Sequence, residues 1–326
     1  MFSSIIITST LCLASVFLSG VHAAALPVCG VPQKPVASTG GKTVAYFGQL
    51  KSQPTDSLAK FCADSSVDII VLGFVHIIRG KGELPGLNLS GYCADPIEGT
   101  DLIHCPDFGA AITECQAQGK LVLLSLQGSS GTQTLSNDTA ACEYADNLWK
   151  LFGEGTGLES KRPFGNATVD GFDIDNESGD SNGWPRLISE LRDKFTSASK
   201  RYYISAAPQC PRPDKSIGSA VYLVDFLFIQ FYNNYCAGTG LVSSFNDWSA
   251  DIAAKGTAGT KLFAGFLGSS EKGTGYATHS EVIGYVSQIK NKPNFGGVAT
   301  WDASCANNNM DPYGRTFLKA MKDSLQ

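Results

Sequence analysis

The chain has 326 residues, of which 43% are hydrophobic, with a formal net charge of -5 and 10 cysteines. That length accommodates one large barrel or two small domains. Mild acidity argues against nucleic acid or an anionic membrane as a partner and leaves a neutral polymer compatible.

Residues 1–23 contain no Asp, Glu, Lys or Arg, and an apolar core around Leu11–Leu18 precedes Val21-His22-Ala23. This pattern predicts a secretory leader cleaved near Ala23 to Ala25, too broken by Ser and Thr to span a membrane well. A short segment over 24–39 and one domain over 40–326 are expected to follow, in a secreted, monomeric protein, extracellular or in the cell wall. Behind such a leader, cysteines without a C-x-x-C pair point to disulfides rather than zinc. Cys12 departs with the leader.

Apolar, β-rich runs recur at Thr43–Phe47, Val67–His76, Lys120–Gln127, Val169–Glu177, Arg201–Pro208, Phe226–Asn233, Lys261–Gly268 and Gly296–Asp302. Several gaps carry amphipathic helical patterns, among them Asp138–Phe152, Trp184–Phe195, Phe245–Lys255 and His279–Lys290. Such alternation is that of a closed (β/α)8 TIM barrel in the α/β class. An open doubly wound sheet fits less well, because no Gly-rich phosphate loop follows the first strand. The long connections Ile77–Pro106 and Pro208–Ser219, rich in Cys, Pro and Gly, are expected to form rims of a cleft. No repeat, heptad run or Ser/Thr/Pro-rich linker divides the chain.

Within the fourth run, Val169-Asp170-Gly171-Phe172-Asp173-Ile174-Asp175-Asn176-Glu177 is the most informative stretch. Alternation along a strand puts Asp173, Asp175 and Glu177 in one row at intervals of about 6.6 Å. Neighbouring carboxylates in a partly dry site cannot all ionise, so one keeps its proton and becomes a candidate general acid. Asp173 lies about 13 Å of strand from Glu177 and can reach it only through Asp175. An acidic run is more often a solvated loop, yet Val169, Phe172 and Ile174 are interleaved here. A calcium loop needs Gly at its sixth position, where this chain has Ser178, and its distal Glu is missing. Glu177, Tyr232 and Trp301 close the fourth, sixth and eighth runs, so a barrel brings them to one end.

Asp170-Gly171-x-Asp173-x-Asp175-x-Glu177 resembles the signature of glycoside hydrolase family 18, and the chain around it resembles the class III, plant-type (hevamine-like) chitinases and their small fungal relatives. Ala45-Tyr46-Phe47-Gly48-Gln49, Lys120 to Leu126, Ala206 to Pro211, Gln230 to Asn234 and Gly296-Gly297-Val298-x-x-Trp301 follow the family's order, and the likeness spans roughly residues 40–322. The resemblance implies an endochitinase that cuts β-1,4 bonds between N-acetylglucosamine units of chitin or its oligosaccharides by retaining, substrate-assisted catalysis. It implies Glu177 as acid and base, Asp175 on the substrate's acetamido N–H, Asp173 sharing a proton with Asp175, and Tyr232 holding the acetamido group from the other side. Trp301 and Tyr46 would wall the sugar site, with Gln230 facing the same cavity and Gln49 and Asn88 as further contacts. It also implies disulfides Cys62–Cys115, Cys93–Cys105 and Cys210–Cys236, leaving Cys29, Cys142 and Cys305 unassigned.

The chain departs from the family's pattern in places. Ser125-Leu126-Gln127-Gly128 stands where Ser-x-Gly-Gly is common, a change expected to narrow the cleft or alter a subsite. Phe47 occupies a position where plant relatives often have Trp, and Asn176 replaces an apolar residue while alternating away from the acidic row. His76, His104 and His279 lack metal-ligand spacing, and Gly128-Ser129-Ser130-Gly131 is one residue short of a nucleophile elbow. No metal or organic cofactor is implied. Asn88, Asn137, Asn166 and Asn176 begin glycosylation sequons, the last enclosed by the motif. Two other readings use the same barrel: a chitin-binding lectin or inhibitor without turnover, and an endo-β-N-acetylglucosaminidase acting on N-glycans.

Overall fold

The computed structural model describes residues 40–131 and 133–326; the expected leader at 1–23, the segment 24–39 and Cys29 lie outside the described residues. The eight apolar runs form eight parallel strands: β1 Lys42–Phe47, β2 Ile69–Ile77, β3 Leu121–Gly128, β4 Gly171–Asn176, β5 Tyr203–Ala206, β6 Phe226–Gln230, β7 Lys261–Leu267 and β8 Phe295–Trp301. Each pairs with its neighbours in sequence, and β1 pairs with both β2 and β8, so the sheet closes into the expected barrel. A two-residue strand, Gly86–Leu87, adds antiparallel to β2.

Strands buried on both faces read as continuous apolar runs, and their alternation sorts the core into two shells. Val44, Ile69, Val71, Leu123, Phe226, Phe228, Phe263 and Ala299 fill the barrel interior. Their neighbours Ala45, Ile70, Leu72, Leu124, Leu126 and Phe266 face outward, against the helices. Phe47 belongs to this outer shell, with its ring 5.2 Å from Phe61 and 4.8 Å from Tyr92, so its identity does not bear on the cleft.

The helices are α1 Leu58–Ala63, α2 Pro106–Ala117, α3 Asp138–Phe152, α4 Trp184–Phe195, α5 Leu241–Lys255, α6 His279–Ile289, α7 Ala303–Asn308 and α8 Phe317–Ser324. Asn137 caps α3 by accepting the Ala140 N–H, and its buried stripe Ala141, Tyr144, Ala145, Leu148 and Phe152 has helical spacing. A reciprocal Thr278–Glu281 capping box starts α6. Helix α5 begins four residues before the expected Phe245, since Leu241 continues the buried series Phe245, Trp248 and Ile252. Between β5 and β6 the crossover is a loop followed by a 3-10 turn, Gly218–Tyr222, rather than an α-helix.

All three implied disulfides are present, with Cα separations of 4.8 Å for Cys62–Cys115, 5.5 Å for Cys93–Cys105 and 6.0 Å for Cys210–Cys236. The first joins α1 to α2, the second closes the rim loop before α2, and the third ties the loops that follow β5 and β6. Among the described residues Cys142 and Cys305 have no disulfide partner.

Candidate active site

The motif begins as structure and ends as a site. Asp170, just before β4, accepts the Val122 N–H at 2.8 Å and pairs with Lys200 at 2.7 Å, anchoring the N-terminal end of the strand. At Gly171 (φ 155°) a Cβ would lie 2.0 Å from the Tyr203 carbonyl oxygen, so only glycine lets β4 and β5 approach. Beyond it the register sets Ser125, Asp173 and Ser205 side by side on β3, β4 and β5. Asp173, fully buried, accepts hydrogen bonds from Ser125 Oγ at 2.6 Å, Ser205 Oγ at 2.6 Å and Tyr46 Oη at 2.9 Å. Burial pushes its carboxyl up, and the three hydroxyls oppose that rise.

One step up the strand, Asp175 Oδ1 accepts from Gln230 Nε2 at 2.9 Å, and the same amide reaches Glu177 Oε1 at 3.4 Å and the Ala207 carbonyl at 3.0 Å. The Asp175 carboxyl is raised well above the ordinary range by burial, then by the charges of Glu177, Asp173 and Asp214. Glu177 is exposed and lines the cleft. Burial pushes its carboxyl up against the Gln230 amide, and Asp214 adds to the rise. No hydrogen bond joins Asp173 to Asp175 among the described residues; the two interact through charge. The Asp175 and Glu177 carboxyls are therefore both pushed toward their protonated forms, Asp175 the more strongly, so the pair binds a proton more readily than free carboxylates do.

These groups open into a cavity of about 230 Å³ lined by Tyr46, Asp175, Glu177, Gln230, Tyr232 and Trp301. Burial, with the charges of Asp175, Glu177 and Asp173 behind it, keeps the Tyr232 phenol neutral and therefore a donor. Trp301 lies 5.9 Å from Tyr46 and 5.7 Å from Phe74 between ring centres, forming an aromatic wall. Gln49 and Asn88 lie apart from this lining. The Gln49 amide donates to the carbonyls of Gly73 at 2.8 Å and Asn88 at 3.0 Å, and the exposed Asn88 side chain accepts the Ser90 N–H.

Gln127 and Gly128 both have positive φ, 79° and 72°, a conformation that suits Gly-Gly. The Gln127 side chain turns back to donate to the Gln133 carbonyl at 2.6 Å and does not line the cavity. Asn176 faces away from the acidic row, bonding the carbonyls of Asp180 and Ser216. Ser125 and Ser205 could have been found by strand parity, since each is the inward polar residue level with Asp173. Phe74, Gln209 and Lys272 also line the cavity; Phe74 lies on β2 at a register shift between Leu72 and Val75, which strand alternation does not foretell.

The chain matches the family described as Glycosyl hydrolases family 18 over residues 42–291. It is 39% identical over 298 residues to Chitinase 2 of Candida albicans, covering 90% of this chain and 50% of that protein. With the Endochitinase of Saccharomyces cerevisiae the identity is 40% over 298 residues, covering 88% of this chain and 51% of that one. The chain thus spans about half the length of these curated relatives. Among solved structures, the ICChI chitinase from Ipomoea carnea superposes with a TM-score of 0.73 at 28% identity, covering 87% of this chain and 100% of that one. A xylanase and alpha-amylase inhibitor protein from Scadoxus multiflorus superposes with a TM-score of 0.71 at 27% identity, covering 87% and 97%. Barrel, acidic row and family match agree: the chain belongs to glycosyl hydrolase family 18.

Proposed function

We propose that the protein is a secreted, monomeric endochitinase that hydrolyses β-1,4 bonds between N-acetylglucosamine units with retention at the anomeric carbon. The observation that carries this reading is the row from the buried Asp173 to Asp175 and Glu177, the last two meeting Gln230 and Tyr232 at one cavity. Glu177 protonates the leaving glycosidic oxygen, and the substrate's own 2-acetamido carbonyl attacks the anomeric carbon. Asp175 accepts the acetamido N–H and offsets the charge of the oxazolinium ion, Asp173 holds Asp175 in its charge state, and Tyr232 donates to the acetamido oxygen. Glu177, now ionised, takes a proton from the water that opens the ring. Trp301 and Tyr46 cover the apolar C–H face of the sugar.

The similarity to an inhibitor protein raises a second reading, a binding protein without turnover. The complete acidic row with a neutral Tyr232 favours catalysis, because each group has a task that binding alone does not require. Anomer-resolved product analysis on short N-acetylglucosamine oligomers tests the proposal, and β-anomer first products are expected. Intact oligomer after prolonged incubation would favour the binding protein, whereas cleavage of N-glycans in place of chitin oligomers would favour an endo-β-N-acetylglucosaminidase. Glu177→Gln is expected to lower kcat by about 10²-fold or more with oligomer binding retained, measured by turnover and calorimetry.

A further inference from the structure

The loop between β5 and β6 carries a buried carboxylate that the mechanism above does not use. Asp214, 9% exposed, has no Lys, Arg or His ion-pair partner among the described residues. Three backbone N–H groups face it instead: Gln209 on Oδ2 at 2.9 Å, and Ser216 at 2.9 Å and Ile217 at 2.7 Å on Oδ1. These partners lead to the site from two sides. Gln209 lines the cavity and forms a parallel bridge with Gln230, the amide shared by Asp175 and Glu177. Ser216 grips the segment that carries Glu177 before and after it: its carbonyl accepts from Asn176 Nδ2 at 2.5 Å and its Oγ from the Gly179 N–H at 3.0 Å.

We propose that Asp214 is a positioning residue for the acid, clamping the Gln209 wall to the Asn176–Gly179 segment and setting a fixed negative charge behind Glu177. This rests on the proposed hydrolase function. Burial pushes the Asp214 carboxyl up, and the three N–H donors on its two oxygens oppose that rise by holding the ionised form. Asp173 and Asp175 also face Glu177, from its own strand. Tyr46 from β1 and Tyr232 after β6 are neutral, and Lys272, after β7, is the cation lining the same cavity. The charge on Asp214 opposes ionisation of both Glu177 and Asp175. Removing it lets both carboxyls ionise at lower pH, so the whole activity bell slides acidward.

The test is the pH dependence of kcat and KM on a soluble N-acetylglucosamine oligomer for wild type, Asp214→Asn and Asp214→Glu. Asp214→Asn is expected to move the basic limb acidward, costing about 3- to 10-fold in kcat above the wild-type midpoint and less below it. Asp214→Glu keeps the charge while disturbing the clamp, so kcat falls at every pH and the limb stays in place. An Asn variant that slows the enzyme equally at all pH values overturns the proposal. Should the Asn variant not fold, the Glu variant decides: a retained limb supports the charge, an acidward limb refutes it. Failure of wild type to cleave the oligomer would refute the hydrolase reading itself; coincident profiles on an active wild type refute only the role of Asp214.

Discussion

Asp302 caps α7 with one oxygen, accepting the Cys305 N–H at 3.0 Å, and buries the other without a partner. Burial pushes this carboxyl up to about 6, against that N–H bond. The folded value lies above the unfolded one, so the folded state holds the extra proton. Stability from that proton is complete below about pH 4 and is lost as the pH rises through 6. Asp302→Asn keeps a capping oxygen and removes the buried charge. It should stabilise the fold at pH 7.5 by on the order of 1–3 kcal/mol, seen as a higher melting temperature, and leave the melting temperature unchanged at pH 4, as thermal unfolding at the two pH values would reveal. Residue roles of this kind escape sequence reading: Asp302 and Asp214 look like ordinary loop acids until the chain around them closes. The row from Asp173 to Glu177 was legible because a strand's two-residue period is local.

Among elements, β4 carries the tightest constraint. Gly171→Ala pushes a methyl group into the Tyr203 carbonyl, so β4 and β5 must separate. The expected cost is on the order of 3–5 kcal/mol, read as a lowered urea midpoint or loss of soluble protein. All eight barrel strands could be located from their apolar runs, since burial on both faces writes itself into every residue. Helices were legible where an amphipathic stripe is long, as in α3 and α4. The six-residue α1 and α7 are too short to show a period, and the helix-free crossover between β5 and β6 is set by Pro, Cys and a buried aspartate rather than by any repeat.

For the whole molecule, three crosslinks of very different reach hold one barrel. Sequence separations of 53, 26 and 12 residues predict that removing Cys62–Cys115 costs most and Cys93–Cys105 least, about 4 against about 3 kcal/mol on chain entropy alone. Calorimetry of the three paired Cys→Ala variants would show whether the order holds. The pairings came from resemblance, because spacing does not reveal which cysteines meet in space. Asn176 carries a final consequence. Its side chain is shut inside the fold with its nitrogen committed to two carbonyls, whereas Asn88, Asn137 and Asn166 stand in solvent. In an exported chain, attachment of an oligosaccharide to Asn176 and completion of the barrel exclude each other, so maturation becomes a race between modification and folding. Active protein made through the export route should bear sugars only at the three outward asparagines, and peptide mass spectrometry that found Asn176 occupied in the active fraction would contradict this.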